Sequence, residues 1–322
     1  MAQYQQNKGA KMKNQELAKQ LLTPSKNSRL EKFGKIITFL CLALIVFIVA
    51  MILIFVAQKG LSTFFVDGIN IFDFLFGKEW QPSVKGPDGN PLLGALPMIM
   101  GSFMVTILSA LIATPFAIGA AVFMTEISPK YGRKILQPTV ELLVGIPSVV
   151  YGFIGLQIVV PFVRSIFGGT GFGILSGVFV LFVMILPTVT FMTTDSLRAV
   201  PRHYREASLA MGATRWQTIW RVVLNAARPG IFTAIIFGMA RAFGEALAIQ
   251  MVVGNSAVIP TSLTTPAATL TSVLTMGIGN TVMGTVQNNV LWSLALVLLF
   301  MSLAFNTLVK FITRERKRNY ER

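Results

Sequence analysis

The chain has 322 residues, of which 53% are apolar and only 13% charged, with a mean hydropathy of +0.66. An average soluble domain is about 45–50% apolar and about 25% charged, so too few charges remain here to cover a water-exposed surface. The excess of 28 Lys+Arg over 13 Asp+Glu sits on a chain too apolar for a basic nucleic-acid binder. An integral membrane protein with basic loops fits both numbers. The one cysteine, Cys41, excludes an intrachain disulfide framework and a multi-cysteine metal site.

Residues 1–35 are polar and basic, with Lys8, Lys11, Lys13, Lys19 and Lys26 among them. They read either as a mobile tail drawn to anionic lipid or as a site for a partner. A bilayer core about 30 Å thick needs roughly 20 apolar residues of helix. Residues 36–57 supply an uncharged run that starts too late and runs too long for a cleavable signal core, so it is expected as a retained anchor. An external loop over 58–94 follows. Ala95–Ile127 is interrupted by Pro97 and Pro115 and ends near Glu126; it reads as one kinked helix or as a short hairpin. Ile135–Val163 has Glu141 near its start, Ile174–Thr194 carries no charge, Gly230–Gly254 holds Arg241 and Glu245, and Asn289–Phe311 is the last run. That makes six spans: an anchor and a five-helix core over 95–312, with a basic tail at 313–322.

Six spans put both termini on one side of the membrane. The segments on that side carry 23 of the basic residues, including eight in the first 35 and six arginines in 195–229; the opposite loops carry only Lys59, Lys78, Lys85 and Arg164. The positive-inside rule makes the basic side, and both termini, cytoplasmic. The remaining basic residue, Arg241, lies inside a span.

No G-x-x-x-x-G-K-[ST] occurs, so the chain lacks the phosphate cradle for hydrolysing ATP. His203 is the only histidine and has no zinc-ligand partners at suitable spacing. The glycine-rich run Gly168–Gly173 follows a span on the outer side and reads as a flexible turn. No catalytic triad is evident. The chain is expected to be a non-catalytic transport subunit without a cofactor. An autonomous anion channel or secondary transporter is the competing class, and a membrane enzyme a weaker one.

The cytoplasmic loop 195–229 is the first informative segment. Glu206-Ala207-Ser208-Leu209-Ala210-Met211 favours helix, Gly212 breaks it, and Thr214 can cap a second helix with Trp216, Ile219, Trp220 and Val223 on one face. Pro229-Gly230 is expected to mark entry to the next span. Two readings stand: an amphipathic helix lying in the interface, or a docking element for a cytoplasmic partner. The second segment surrounds Arg241, close to mid-membrane, where a charge costs roughly 2.5–3.5 kcal/mol even on the lenient insertion scale. Glu245, four residues on, is expected on the same helix face and within reach of Arg241. Small residues from Gly238 to Ala248 would let another helix approach closely. The pair either fixes helix packing or, with the guanidinium offering paired donors, holds a tetrahedral oxyanion in transit. After Pro147, Ser148 could place a hydroxyl in the same pathway. The segment 255–288, free of charges and rich in threonine, reads as re-entrant or interfacial.

These residues carry a resemblance. Glu206-Ala207-Ser208, Gly212 and Ile219…Leu224 resemble the EAA loop of permeases in bacterial ABC importers that use a substrate-binding protein. The runs Val200-Pro201…Thr218, Ala240-Arg241-Ala242-Phe243-Gly244-Glu245-Ala246-Leu247-Ala248, Glu141…Gly152 and Glu79-Trp80-Gln81-Pro82 resemble the phosphate-specific members. Ser208 stands where the family usually has Ala, and Asn225 where it has Pro. The resemblance implies an all-α polytopic membrane protein of MetI-like ABC permease fold with six transmembrane helices. It implies a second permease subunit, an ATPase dimer and an external phosphate-binding protein as partners, and inorganic phosphate as substrate. It places ATPase coupling on Glu206, Ala207, Ser208, Gly212, Ala213 and Trp216, and phosphate passage on Arg241 and Glu245. Other oxyanions (molybdate, sulfate, phosphonate) are the alternative substrates.

Overall fold

Inside a bilayer every backbone amide must be bonded within the protein, and a helix does this within one segment. The apolar runs accordingly fold as helices. The computed structural model describes residues 26–85 and 91–320, so residues 1–25 of the expected basic tail lie outside the described residues. The elements are α1 (Lys26–Phe65), α2 (Ile71–Phe76), β1 (Trp80–Lys85), β2 (Pro91–Leu93), α3 (Leu96–Ile127), α4 (Gln137–Gly145), α5 (Ser148–Phe167), α6 (Ile174–Arg198), α7 (Arg202–Ala210), α8 (Arg215–Phe243), α9 (Leu247–Gln250), α10 (Leu270–Ile278) and α11 (Val286–Tyr320). Six of them, α1, α3, α5, α6, α8 and α11, contain stretches long and apolar enough to cross a membrane. One small antiparallel hairpin, β1 with β2, departs from an all-helical reading.

The chain divides between Phe55 and Val56 into two units. The first is the greater part of α1. Its large apolar side chains, from Ile36 to Phe55, are exposed, which suits a helix that faces lipid.

In the second unit α6 is the central helix, two-thirds buried along its apolar stretch and flanked by α3 and α8. Lipid tails are as apolar as leucine, so burial from water does not drive these helices together; close packing of small residues does. Gly238 shows this directly. A Cβ there would lie 2.6 Å from Val189 Cγ2 and 2.9 Å from Ile185 Cγ2 of α6. Leu181, Met184, Ile185 and Val189 fill the centre against alanines of α3 and α8. The expected close approach at the small-residue run is therefore present.

One open alternative resolves, and three helix boundaries differ from the sequence reading. Ala95–Ile127 is one helix from Leu96, with Pro115 inside it, and not a hairpin. The run 135–163 is split: α4 ends at Gly145, Ile146 and Pro147 are extended, and α5 begins at Ser148. Proline disfavours helical geometry at the residue before it, which accounts for the break. Pro229 lies within continuous helix, so no helix begins there. The run 230–254 ends as helix at Phe243, and Gly244–Ala246 lead into the short α9.

The segment 255–288 folds back against the helices. Thr269 caps α10 in a reciprocal box with Ser272, and the Leu270 N–H donates to Ser102 Oγ of α3 at 2.9 Å. Ala268, Leu270, Phe74, Met98 and Leu294 form a second core at this end. Gly101 is the tight point, because a Cβ there would run into the Ala268 carbonyl oxygen. Gly101→Val is expected to destabilise the folded subunit by about 1–3 kcal/mol, the usual cost of overpacking. A thermal melt in detergent checks this; an unchanged midpoint would contradict the packing described.

Candidate functional site

Two regions hold the residues singled out by sequence. The first is the helical corner α7–Gly212–α8. Pro201 starts α7, and Gly212 turns the chain at φ 82°, a left-handed conformation that glycine adopts without steric cost. Thr214 Oγ1 then accepts from the Gln217 N–H at 3.2 Å, and Gln217 Oε1 accepts from the Thr214 N–H at 2.9 Å, which makes the expected cap a full capping box. Ser208 and Thr218 bond hydroxyl to hydroxyl at 2.9 Å and tie the two helices together.

Glu206, Ala207, Gly212 and Trp216 are exposed; Ser208 and Ala213 are partly buried. No residue of α7 is fully buried, and Met211 at the corner is 87% exposed. The apolar stripe expected on α8 separates into two rows. Ile219 and Val223 are buried, while Trp216 and Trp220 face outward and stack on each other with ring centroids 6.0 Å apart. Each row keeps the four-residue helical spacing, and the two rows lie on neighbouring faces. The aliphatic row packs in a third core with Ala121, Val122, Leu197 and Val200, while the tryptophans line an apolar groove together with Leu111, Pro115 and Gly119 of α3.

Beneath the corner lies a recess of about 670 Å³ that brings Arg198, Arg202, Arg205 and Arg215 together with Glu126 and Glu206. Arg205 and Glu126 form its centre: Nη2 reaches Oε1 at 2.6 Å, and Nε reaches both carboxylate oxygens at 3.2 Å. Among the described residues the other ion pairs are Lys35–Glu31 and Arg198–Asp195. The sequence reading gave Glu126 no role. The only signal was an acid in the last turn of a span, 79 residues from its partner.

The second region surrounds Arg241. Gly230 packs on Ser196 and Gly238 on Val189 and Ile185, so α8 runs antiparallel to α6. This register puts Arg241 beside the middle of α6, where its Nη1 donates to Thr188 Oγ1 at 2.9 Å. Glu245 does not pair with it. Gly244 ends α8, which takes residue 245 off the helical face, and Glu245 Oε1 instead accepts from the Ala248 N–H at 3.0 Å, capping α9. The Glu245 carbonyl accepts from Thr271 Oγ1 at 2.8 Å. The expected Arg241–Glu245 ion pair is thus replaced by two separate anchors.

Ser148 opens α5, and its hydroxyl has no hydrogen-bond partner among the described residues. Tyr151 Oη donates to the Leu143 carbonyl at 2.7 Å, satisfying an acceptor that the Pro147 break frees. One turn on, Gly152 packs against α9: a Cβ there would meet Ala248 Cα at 2.8 Å. The break before Ser148 and the break after Phe243 therefore open on neighbouring parts of the bundle. Irregular backbone at membrane depth is tolerated only where protein buries it or it lines a cavity. Glu141 accepts from Gln137 at 2.8 Å and makes no ion pair among the described residues.

Residues 113–318 match the family described as binding-protein-dependent transport system inner membrane component. A probable ABC transporter permease protein of Bacillus subtilis (strain 168), YqgH, is 48% identical over 306 residues, covering 94% of this chain and 98% of its own length. The phosphate transport system permease protein PstC of Mesorhizobium japonicum is 34% identical over 63% of this chain and 66% of its own length. That of Pasteurella multocida is 31% identical over 76% and 77%. Among solved structures, the MetNI methionine ABC transporter in an inward-facing conformation aligns with a TM-score of 0.52 at 22% identity, over 67% of this chain and 93% of that one. A bacterial alginate ABC transporter aligns with a TM-score of 0.58 at 16% identity, over 89% and 97%. These likenesses establish the MetI-like permease fold.

Proposed function

The chain belongs to the family of binding-protein-dependent transport system inner membrane components, the multi-pass permease subunits of ABC transporters, and from that premise we propose that it carries inorganic phosphate. The observation that carries the anion reading is the state of Arg241. A guanidinium has five N–H donors. Among the described residues one of them is used, on Thr188, with no carboxylate paired to the charge. A cation held mid-bundle beside two helix breaks is placed to meet an oxyanion, and the planar fork suits paired phosphate oxygens. The PstC relatives favour phosphate over sulfate, molybdate or phosphonate.

An unpaired arginine grips an anion more strongly than one compensated by Glu245 would, so release needs a change in geometry. ATP binding and hydrolysis in a separate ATPase dimer supply it in this reading, through Glu206, Ala207, Ser208, Gly212, Ala213 and Trp216. A second permease completes the pathway, with Glu245 and Ser148 lining it near Arg241, and an external phosphate-binding protein delivers the substrate. Residues 195–229 form the coupling segment of a core over 95–312, and both termini are cytoplasmic. The exposed α7–Gly212–α8 corner supports the docking role. Cells lacking this chain, grown on limiting phosphate, are expected to lose ATP-dependent phosphate uptake and keep that of sulfate and molybdate. Unchanged phosphate uptake, or loss of all three, would set the phosphate assignment aside.

A further inference from the structure

Arg205 is tied to three parts of the fold at once. Its Nε and Nη2 hold the Glu126 carboxylate at the end of α3, its Nη1 donates to the Val200 carbonyl at 2.7 Å, and its Nη2 also donates to the Leu197 carbonyl at 3.1 Å. The Glu126 backbone carbonyl in turn accepts from Arg215 Nη2 of α8 at 2.7 Å. The last carbonyls of a helix have no intrahelical partner and carry partial negative charge, so a cation there both bonds them and complements the dipole. Arg205 thus caps α6 from α7. A buried ion pair is weak evidence for stability, because desolvation offsets the attraction. What this one supplies is a fixed geometry across α3, α6 and α7.

Without Arg205 the direct link from α6 to α7 is the main chain through Ala199, Val200 and Pro201, while the Ser208–Thr218 bond ties α7 to α8. With it, the two helices are joined by bonds to main-chain atoms that cannot swing away as side chains can. Leu197 is fully buried and α6 is the most buried span, so motion at its cytoplasmic end is passed along a packed helix. Ten residues upstream of Arg198, Thr188 holds Arg241.

We propose that Arg205 is the positioning residue that makes α7 and α6 move as one body, so that displacement of α7 reaches Arg241 through Thr188. The proposal rests on the reading that α7 receives the ATPase and that Arg241 meets phosphate. Glu126 sets the plane of the guanidinium, and lysine cannot replace it, since a single ammonium does not span a carboxylate and two carbonyls.

The test uses the complete importer in proteoliposomes, with wild type, R205K, E126Q and the exchanged pair E126R/R205E. ATPase bound per permease and phosphate carried per ATP hydrolysed are both measured. R205K and E126Q are expected to bind ATPase as wild type does, to hydrolyse ATP, and to carry about tenfold less phosphate per ATP, the scale of one charged hydrogen bond. The exchanged pair restores opposite charges but not the bonds to Leu197 and Val200, and is expected to stay uncoupled. A wild-type transport ratio in R205K or in the exchanged pair would overturn the proposal. So would failure of R205K or E126Q to accumulate or to bind ATPase, which would make the joint a structural prop. Failure of the wild-type chain to bind ATPase is a separate result, and would overturn the docking reading itself.

Discussion

Arg241→Ala is expected to lower ATP-driven phosphate uptake by one to two orders of magnitude while the complex still assembles. The size follows from losing one or two hydrogen bonds between a charged donor and a charged acceptor, each worth about 1.5–3 kcal/mol. Assembly is expected to survive because, among the described residues, Arg241 hydrogen-bonds only Thr188 and joins no ion pair. Removing it therefore strands no carboxylate, the usual cause of severe destabilisation. Arg241→Lys keeps the charge and loses the fork, and should fall between wild type and alanine. Thr188→Val removes the hydroxyl that orients the guanidinium and should weaken uptake less than Arg241→Ala does. Labelled-phosphate uptake at matched subunit levels checks all three. Normal uptake by Arg241→Ala would remove the residue from the pathway.

Gly212→Pro is expected to release the ATPase from membranes or to uncouple its hydrolysis from uptake. Proline fixes φ near −65°, whereas this turn needs φ 82°, and it deletes the Gly212 N–H that donates to the Leu209 carbonyl at 3.0 Å. The α7–α8 corner must then take another shape, carrying Glu206 and Trp216 out of register. Nothing lies within 4 Å of a Cβ at Gly212, so the fault is confined to the backbone and the membrane core is untouched. Gly212→Ala should pay only the left-handed cost of about 1–2 kcal/mol, and Gly212→Asn less, since asparagine tolerates that region. A graded loss of ATPase binding, Pro beyond Ala beyond Asn, is the expected order. Equal binding in all three would show that the corner is not the docking element.

The architecture was legible where one physical signal dominated. Long, predominantly apolar runs marked the spans, and the glycine turn at Gly212 with its Thr214 cap appears where local chemistry places it. Helix ends inside the membrane were not legible. Hydropathy is continuous from Gly230 to Gly254, so nothing in composition announces that α8 stops at Phe243. The Arg241–Glu245 spacing of four residues implied a pair only while the helix was assumed unbroken. Pro147 did offer a stop signal, but the apolar residues on both sides masked it. Trp216, Ile219, Trp220 and Val223 read as one face because aromatic and aliphatic residues score alike on an amphipathic pattern; geometry turns Trp216 and Trp220 outward and Ile219 and Val223 in. Contacts between distant segments, Glu126 with Arg205 and Thr188 with Arg241, leave no trace in one sequence, because each side chain is chemically ordinary until the fold brings its partner.

The central claim is ATP-driven, phosphate-selective transport through a pathway that this chain helps to form. Reconstitution of the chain with a second permease, the ATPase and the phosphate-binding protein, followed by labelled-phosphate accumulation, measures it directly. Accumulation that requires ATP and every subunit, and that resists excess sulfate and molybdate, is the predicted result. Phosphate flux from the purified chain alone without ATP, or displacement by sulfate or molybdate as effective as that by unlabelled phosphate, would contradict it.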